Sequence, residues 1–275
     1  AKSATLPLMM AGLASLETPM GLMDGKRGLV VGIANERSYA YSIAESLLRE
    51  GAECLFTHLP GDKMERRVRR SLDSLGVKDP WLRSMNAGDD EDMDGCFDAI
   101  ASEFGSIDFL VHSIAFADKD WLKEGLFVST PREVFTQACD ISAYTFAAMA
   151  NRAEPLMAEG GSMIAISYYG AEKAAPGYNV MGVAKSALES TTRYLASDLG
   201  PKNIRCNAIS GGPFRTMSAM AVGGFGQIMD VVEKSGIRFL RLGWVDNAGV
   251  YRVHAIRAKR IAPVSYTHLT LPTKA

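Results

Sequence analysis

The chain has 275 residues, enough for two domains at most, and α/β folds of this length commonly form a single domain. Its 30 lysines and arginines balance 31 aspartates and glutamates, so the net charge of −1 argues against a nucleic-acid-binding protein. The four cysteines are scattered and form neither a CxxC pair nor a Cys/His cluster. We therefore expect no metal site and no disulfide framework, and a reducing, cytoplasmic compartment is favoured.

Short apolar runs alternate with amphipathic segments along most of the chain. The predicted strands lie at residues 28–33, 54–57, 81–85, 108–114, 162–167 and 204–209. The predicted helices lie at residues 38–49, 62–75, 89–104, 131–149 and 178–199. This alternation predicts a single α/β domain with a doubly wound, Rossmann-type parallel sheet.

The most apolar stretch outside these runs covers residues 6–16, and its 11 residues are too few to span a bilayer. It resembles the core of a signal peptide only faintly, because no clear small-residue cleavage site follows. We expect residues 1–21 to form an N-terminal extension, and we expect no membrane association.

The turn after the first strand, residues 32–40, has the position of a dinucleotide-binding turn but retains only one glycine. Gly32 allows a tight turn, Ser38 can cap the helix, and Ala40 is small enough for close helix packing. A pyrophosphate could then bind at the helix N-terminus. An ordinary capped strand-to-helix turn is the alternative, and spacing alone does not decide between them.

Tyr178 and Lys185 begin the helix that follows the fifth strand, and their separation of seven residues places them on one helix face. The lysine would favour the phenolate and could hold ribose hydroxyls, while the phenol could stabilise an enolate or deliver a proton. Tyr169 and Lys173 have the spacing found in most short-chain dehydrogenases. However, the Pro-Gly at 176–177 favours a loop there, so the Tyr178–Lys185 pair is preferred.

Several segments, in order, resemble the bacterial enoyl-acyl-carrier-protein reductases of the FabI type, a divergent branch of the short-chain dehydrogenases. The Tyr-x6-Lys spacing with an upstream Ser-Tyr-x-Gly-Ala-Glu is the most specific feature. The resemblance extends from about residue 22 to about residue 251. The segments that carry it are residues 25–44, 109–117, 140–144, 166–189 and 204–219.

The resemblance implies NADH-dependent reduction of the trans-2 double bond of an enoyl thioester carried by acyl-carrier protein. Hydride would pass to C3, Tyr178 would stabilise the enolate, and Lys185 would hold the nicotinamide ribose. Tyr168 would flank the thioester as a further catalytic residue, and Phe116 and Met181 would line the acyl pocket.

The same resemblance implies a cofactor site for NAD(H). Its residues would be Gly32, Ala34, Ser38, Tyr39, Leu59, Asn86, Ala87, Ser113, Ile114, Ala115, Lys185, Pro213, Phe214 and Thr216. Asn86 stands where the family usually has Asp, Ala115 where it has Gly, and Phe214 where Ile is common. Residues 58–61 offer no acid for the ribose 2′-hydroxyl, so NADP(H) is not excluded, although NAD(H) is favoured. The segment after Thr216 would be a lid over the substrate.

The C-terminal end departs from the family, because residues 252–275 lack its expected turns and last parallel strand. We therefore expect a reductase domain at 22–251 and a tail at 252–275 that arose by truncation, a frame shift or fusion. A homotetramer is expected only if that end is intact. Two other functions remain open: a non-catalytic dinucleotide-binding protein, and a 3-ketoacyl thioester reductase.

Overall fold

The computed structural model describes residues 21–211, Thr216, 239–245 and 251–257. For the last two segments it describes the backbone alone. The described strands form one sheet. They are β1 (Arg27–Val31), β2 (Glu53–His58), β3 (Leu82–Ser84), β4 (Phe109–His112), β5 (Gly161–Tyr168), β6 (Ile204–Gly211), β7 (Phe239–Val245) and β8 (Tyr251–Arg257). Their order across the sheet is β3-β2-β1-β4-β5-β6-β7-β8.

Strands β1 to β6 are all parallel, with Val31 beside His112 and Tyr168 beside Gly211 at their carboxyl ends. The sequence prediction of a doubly wound parallel sheet is therefore confirmed. Each of the six predicted strands overlaps an observed one, and their ends differ by no more than two residues. The carboxyl ends of the central strands meet at one edge of the sheet, which is where open α/β sheets place their ligands.

The far edge differs from the rest of the sheet, because β7 runs antiparallel to β6 and β8 antiparallel to β7. The sequence analysis expected the family's last parallel strand to be missing or replaced. At that edge the structure has the antiparallel pair β7 and β8. Residues 252–257, which the sequence analysis left out of the fold, are paired in this sheet, so the expected boundary after residue 251 falls inside β8. Residues 1–20 and 258–275 lie outside the described residues.

Helices cover both faces of the sheet. They are α1 (Tyr39–Arg49), α2 (Asp62–Ser74), α3 (Asp90–Phe104), α4 (Arg132–Cys139), α5 (Thr145–Ala153) and α6 (Asn179–Leu199). The single helix predicted for residues 131–149 is divided, because a π-helical segment, Asp140–Tyr144, separates α4 from α5. Within it, the Ser142 hydroxyl accepts from the Phe116 amide at 3.0 Å and lies 3.2 Å from the Phe116 carbonyl. Periodicity does not reveal this tertiary contact, and π-helical segments often accompany functional sites.

The core has two layers because side chains alternate across each strand. Leu29 and Val31 of β1 join a cluster on one face of the sheet, and Val30 between them joins a cluster on the other. The first cluster includes residues of α3, α5 and α6, and the second includes residues of α1 and α2. A third, smaller cluster forms around the start of α6. The fold thereby holds the strand ends and α6 rigidly at one edge.

In the parts of the chain that the structure describes, no helix combines the length and apolar character needed to cross a bilayer. Those same parts contain no group of three His, Cys, Asp or Glu side chains suited to a metal ion.

Candidate active site

The turn after β1 depends on Gly32, whose φ of +110° is a conformation that other residues rarely adopt. A Cβ at this position would lie 2.2 Å from the carbonyl oxygen of Ser113, which follows β4. The Ser113 amide donates to the Val31 carbonyl at 3.0 Å, so the two chains approach closely here. Gly32 is therefore required by the backbone itself, as its place in the turn predicted.

Asn35 organises the rest of this turn. Its side-chain oxygen accepts from the Arg37 amide at 2.8 Å, and its carbonyl accepts from the Ser38 hydroxyl at 2.7 Å. Ser38 occupies the N-cap position but its side chain makes no capping hydrogen bond, so the predicted capping role is wrong. The first turn of α1 contains no acidic residue, whereas the first turn of α3 contains three. Because no acidic side chain neutralises the positive end of the α1 dipole, that end favours an anionic ligand.

Two tyrosines meet at the carboxyl end of β5. Tyr168 ends the strand, Tyr178 immediately precedes α6, and their ring centroids are 4.8 Å apart at an interplanar angle of 62°. Gly170 lies between them in sequence, and a Cβ there would approach the Tyr178 ring to 2.4 Å. The small residue therefore lets the Tyr178 ring lie against the backbone beside Tyr168.

Tyr178 is a neutral phenol in this environment. Burial raises its pKa above the ordinary value of 10, and Tyr168 and Tyr39 raise it further. The expectation that Lys185 shifts Tyr178 towards the phenolate is therefore wrong for this structure. Lys185 lies two turns along α6 and donates from Nζ to the Ile166 carbonyl at 2.6 Å. A neutral Tyr178 retains its proton and can donate a hydrogen bond to a substrate oxygen.

Lys185 is only 5% exposed, and burial lowers its pKa to about 8, although Glu189 opposes that shift. Glu189 is also buried and accepts a hydrogen bond of 2.6 Å from Ser167. Sequence reasoning missed Glu189 and Asn35. Glu189 had one available signal, because a residue four positions after Lys185 shares its helix face.

The alternative pair, Tyr169 and Lys173, has a different setting. Tyr169 starts a short 3₁₀ segment and is 45% exposed, and Lys173 is exposed in the loop before Tyr178. No helix aligns their side chains. Of the two pairs, Tyr178 and Lys185 are the better shielded from water, with Tyr178 half-buried and Lys185 buried at the strand ends.

Asn179 is a third residue that sequence reasoning missed. It begins α6 with a φ of 42°, and its side-chain amide donates to the Trp121 carbonyl at 2.7 Å and the Lys123 carbonyl at 2.6 Å. These bonds tie the segment after β4 to the start of α6, directly beside Tyr178. The only sequence signal was the ability of Asn to adopt a left-handed conformation.

The two predicted acyl-pocket residues have different environments. Met181 is buried in a cluster against which Tyr168 and Tyr178 pack, together with Leu122. Phe116 does not belong to this cluster, and its side chain is 46% exposed. The structure therefore places Met181 in the same apolar cluster as the paired tyrosines and leaves the Phe116 side chain partly open to solvent.

Tyr39 reaches beyond the turn in which it was predicted. A Cβ at Gly211, the last residue of β6, would lie 2.8 Å from the Tyr39 hydroxyl oxygen. Because Gly211 pairs with Tyr168 across the sheet, the Tyr39 ring extends from the start of α1 towards the two tyrosines. Burial raises its pKa, so this phenol is neutral too.

The other predicted cofactor residues follow the carboxyl ends of their strands. Asn86 lies beyond β3, and its side-chain oxygen accepts from the Gly88 amide at 3.1 Å. Leu59 follows β2 and is largely exposed. Thr216 is buried, whereas Pro213, Phe214 and the expected lid after Thr216 lie outside the described residues. The rest, placed around the same edge, are Ala34, Ala87, Ser113, Ile114 and Ala115.

Known proteins share this arrangement. Enoyl-acyl-carrier-protein reductase (NADH) 1 of Rhizobium meliloti is 47% identical over 209 residues, covering 76% of this chain and 75% of the relative. The corresponding Bacillus cereus reductase is 44% identical over 215 residues, 78% of this chain and 83% of the relative.

Solved structures agree with these sequence relatives. The Bacillus cereus enzyme with NADP+ and indole naphthyridinone covers 78% of this chain and 83% of its own, with a TM-score of 0.75 and 44% identity. The Anaplasma phagocytophilum enzyme in complex with NAD covers 76% and 78%, with a TM-score of 0.71 and 46% identity. A family model described as enoyl-(acyl carrier protein) reductase matches residues 32–243. The chain therefore belongs to the enoyl-acyl-carrier-protein reductase family.

Proposed function

We propose that this protein is an NADH-dependent enoyl-acyl-carrier-protein reductase. The observation that carries the proposal is the edge-to-face pair of half-buried Tyr168 and Tyr178 at the carboxyl end of β5, with Lys185 buried on the same helix as Tyr178. Reductases named for this activity are 44%, 45% and 47% identical to the chain over the residues that align. The sheet order 3-2-1-4-5-6 is also that of dinucleotide-binding folds.

The residues at the strand ends fit a dinucleotide. Gly32 removes the side chain where the backbone would approach the pyrophosphate, and the acid-free start of α1 favours its charge. Lys185 would hold the nicotinamide ribose, as in the family that the chain resembles. When bound, NADH supplies the hydride that reduces the double bond.

Tyr178 would act on the substrate. Its raised pKa keeps the hydroxyl protonated, so it donates a hydrogen bond to the thioester carbonyl oxygen of the enoyl substrate. That bond strengthens as negative charge develops on the oxygen during reduction, which lowers the barrier. Tyr168, in edge-to-face contact with Tyr178, would bound the thioester on the other side, and Met181 would contact the acyl chain.

The proposal also covers the protein partner, the cellular compartment, the oligomeric state and the domain boundaries. Acyl-carrier protein would deliver the enoyl group, and the reductase would function in the cytoplasm as a homotetramer. Its domain would cover residues 22–251, with residues 252–257 adding an edge strand. Size-exclusion chromatography with light scattering would test the tetramer.

The activity is tested with purified protein, crotonyl thioester and NADH, following the loss of NADH absorbance. We expect Tyr178→Phe to lower kcat about 100-fold or more, the typical loss for one oxyanion donor. Tyr169→Phe is the matched control, since it removes a phenol of the exposed alternative pair, and it should retain the wild-type rate. Equal rates for wild type and Tyr178→Phe would contradict the proposal.

The same assay separates the other candidates. Faster turnover of a 3-ketoacyl thioester would identify a ketoacyl reductase. NADH binding by calorimetry without turnover of any enoyl thioester would identify a non-catalytic binding protein. Replacing NADH by NADPH measures the cofactor preference.

A further inference from the structure

A buried polar group lies behind the active-site lysine, between α6 and the end of β5. Lys185 donates to the carbonyl of Ile166, and one helical turn later Glu189 accepts from the hydroxyl of Ser167, both at 2.6 Å. Ile166 and Ser167 are adjacent on β5, immediately before Tyr168. Two hydrogen bonds from one helix face therefore hold the strand end that presents Tyr168.

Lys185 and Glu189 are 5% and 7% exposed, so their charges interact with little screening by water. Taking an ammonium group out of water disfavours its charged form, and a nearby carboxylate restores it. Glu189 has this effect on Lys185: burial lowers the lysine pKa to about 8 while Glu189 raises it.

His112 on β4 is the titratable group that faces Lys185 from the sheet. It is fully buried, and its Nε2 lies 2.8 Å from the Thr145 hydroxyl, which itself lies 2.7 Å from the Ile141 carbonyl. The hydroxyl donates to that carbonyl and therefore accepts from Nε2, which assigns the proton to Nε2. Burial and the charge of Lys185 lower the His112 pKa to about 3, so the imidazole is neutral.

The phenols of Tyr168, Tyr178 and Tyr39 lie at the same strand ends, and burial raises the pKa of each. These three phenols, like His112, are neutral at physiological pH. Among the described groups whose charge is seen to act on Lys185, Glu189 is accordingly the one that supplies a negative charge. No residue assigned to the reaction above has this task.

We propose that Glu189 is the positioning residue of the active-site lysine, holding Lys185 protonated at neutral pH and, through Ser167, fixing the end of β5. Its consequence for the reaction rests on the proposed function, because a protonated Lys185 is what would bind ribose hydroxyls as a donor. The protonation itself does not depend on the reaction.

The direct test is an NMR titration of the protein labelled with 13C at lysine Cε, with the Lys185 signal assigned by its loss in Lys185→Met. In the wild type we expect Lys185 to be protonated at pH 7. In Glu189→Gln, whose amide still bonds Ser167 but has no charge, we expect its pKa to fall by at least one unit. This titration needs neither cofactor nor substrate, so it gives a result even if the reductase activity is absent.

Ser167→Ala and Glu189→Asp are the matched controls. Ser167→Ala removes the hydrogen bond but retains the carboxylate, so the Lys185 pKa should stay closer to the wild-type value than in Glu189→Gln. Glu189→Asp retains the negative charge, so the Lys185 pKa should stay close to its wild-type value. NADH affinity should weaken about tenfold at pH 8 in Glu189→Gln and less in Glu189→Asp.

Three results would overturn the proposal. One is a wild-type Lys185 that loses its proton below pH 7, which needs no variant to fold. Another is a Lys185 pKa in Glu189→Gln equal to that of the wild type. The third is an equal fall of the Lys185 pKa in Ser167→Ala and Glu189→Gln, which would show that packing and not charge sets that pKa.

Discussion

The two halves of the active-site edge are built by different means. Around the β1–α1 turn the backbone forms the site, with Gly32 in a conformation that other residues rarely adopt and Asn35 bonded to its neighbours. At the end of β5 the site consists of side chains, among them the half-buried Tyr178 and the buried Lys185, whose pKa values depend on their surroundings. A backbone-built half depends on steric fit, and a side-chain-built half depends on charge and burial.

Gly32→Ala tests the backbone-built half and should have the largest effect. The added Cβ would meet the Ser113 carbonyl at 2.2 Å in a conformation disfavoured for alanine, so β1 and β4 would have to separate. We expect the free energy of unfolding to fall by about 3 kcal/mol or more and dinucleotide binding to be lost. Chemical denaturation and calorimetry with NADH measure the two losses.

Gly76→Ala is the control for this change. Gly76 also has a positive φ, 81°, but a Cβ there would meet nothing within 4 Å. It should cost only about 1–2 kcal/mol, the penalty of a left-handed alanine. If both variants lose the same stability, the close approach at Gly32 does not matter and the contrast between the two halves fails.

Lys185→Met tests the side-chain-built half and should lower both stability and activity. It removes the ammonium and leaves the buried Glu189 carboxylate without the charge that offsets it, so we expect a loss of stability of about 3 kcal/mol at neutral pH together with a loss of turnover of about 100-fold. Thermal unfolding and the crotonyl thioester assay measure these changes. A variant as stable as the wild type would show that the charges of Lys185 and Glu189 are not coupled.

The pH dependence of stability should also differ between wild type and Lys185→Met. The folded wild type releases the lysine proton near pH 8 and the unfolded chain only near 10.5. Between these values the unfolded chain binds more protons, so wild-type stability should rise with pH relative to the variant. The gain is on the order of 3 kcal/mol over that window. Denaturant unfolding at several pH values would measure it, and parallel curves would contradict the low lysine pKa.

Asn179 lies where the segment after β4 meets α6, and its replacement should have the smallest effect. Asn179→Gly removes both side-chain hydrogen bonds but accepts the φ of 42°. We expect a loss of about 1–2 kcal/mol and a higher KM for the enoyl thioester, because the Trp121 segment is released beside Tyr178.

Asn179→Ala adds backbone strain to the same loss and should be less stable than Asn179→Gly by about 1 kcal/mol. Denaturation midpoints of the two variants measure that difference directly. If the glycine variant is the less stable one, the hydrogen bonds and the conformation at this position do not act as the structure indicates.

The central architecture could be predicted from the sequence because buried parallel strands have a local signature. Runs such as 28–33 and 204–209 are apolar on both faces, and amphipathic segments separate them. Gly32 could be identified because a single glycine directly after a strand allows the backbone to turn tightly. Helix spacing identified Tyr178 and Lys185, and the family resemblance added Tyr168.

Features that depend on contacts distant in sequence could not be predicted. The π-helical segment inside 131–149 accompanies the contact between Ser142 and Phe116, 26 residues apart. One local detail also escaped prediction: the Ser38 hydroxyl donates to the carbonyl of Asn35, three residues earlier, and does not cap α1. The antiparallel β7 and β8 also escaped prediction, since their pairing at the sheet edge leaves no regular local pattern.

The sequence by itself determined the parallel sheet, the turn at Gly32 and the pair of Tyr178 and Lys185, because strand patterns, glycine conformations and helix spacing are local properties. Only the tertiary structure decided the protonation of that pair. Burial keeps Tyr178 neutral. For Lys185, burial lowers the pKa and the carboxylate of Glu189 raises it. The free energy of a charge depends on everything packed around it, and packing is fixed only when the chain has folded.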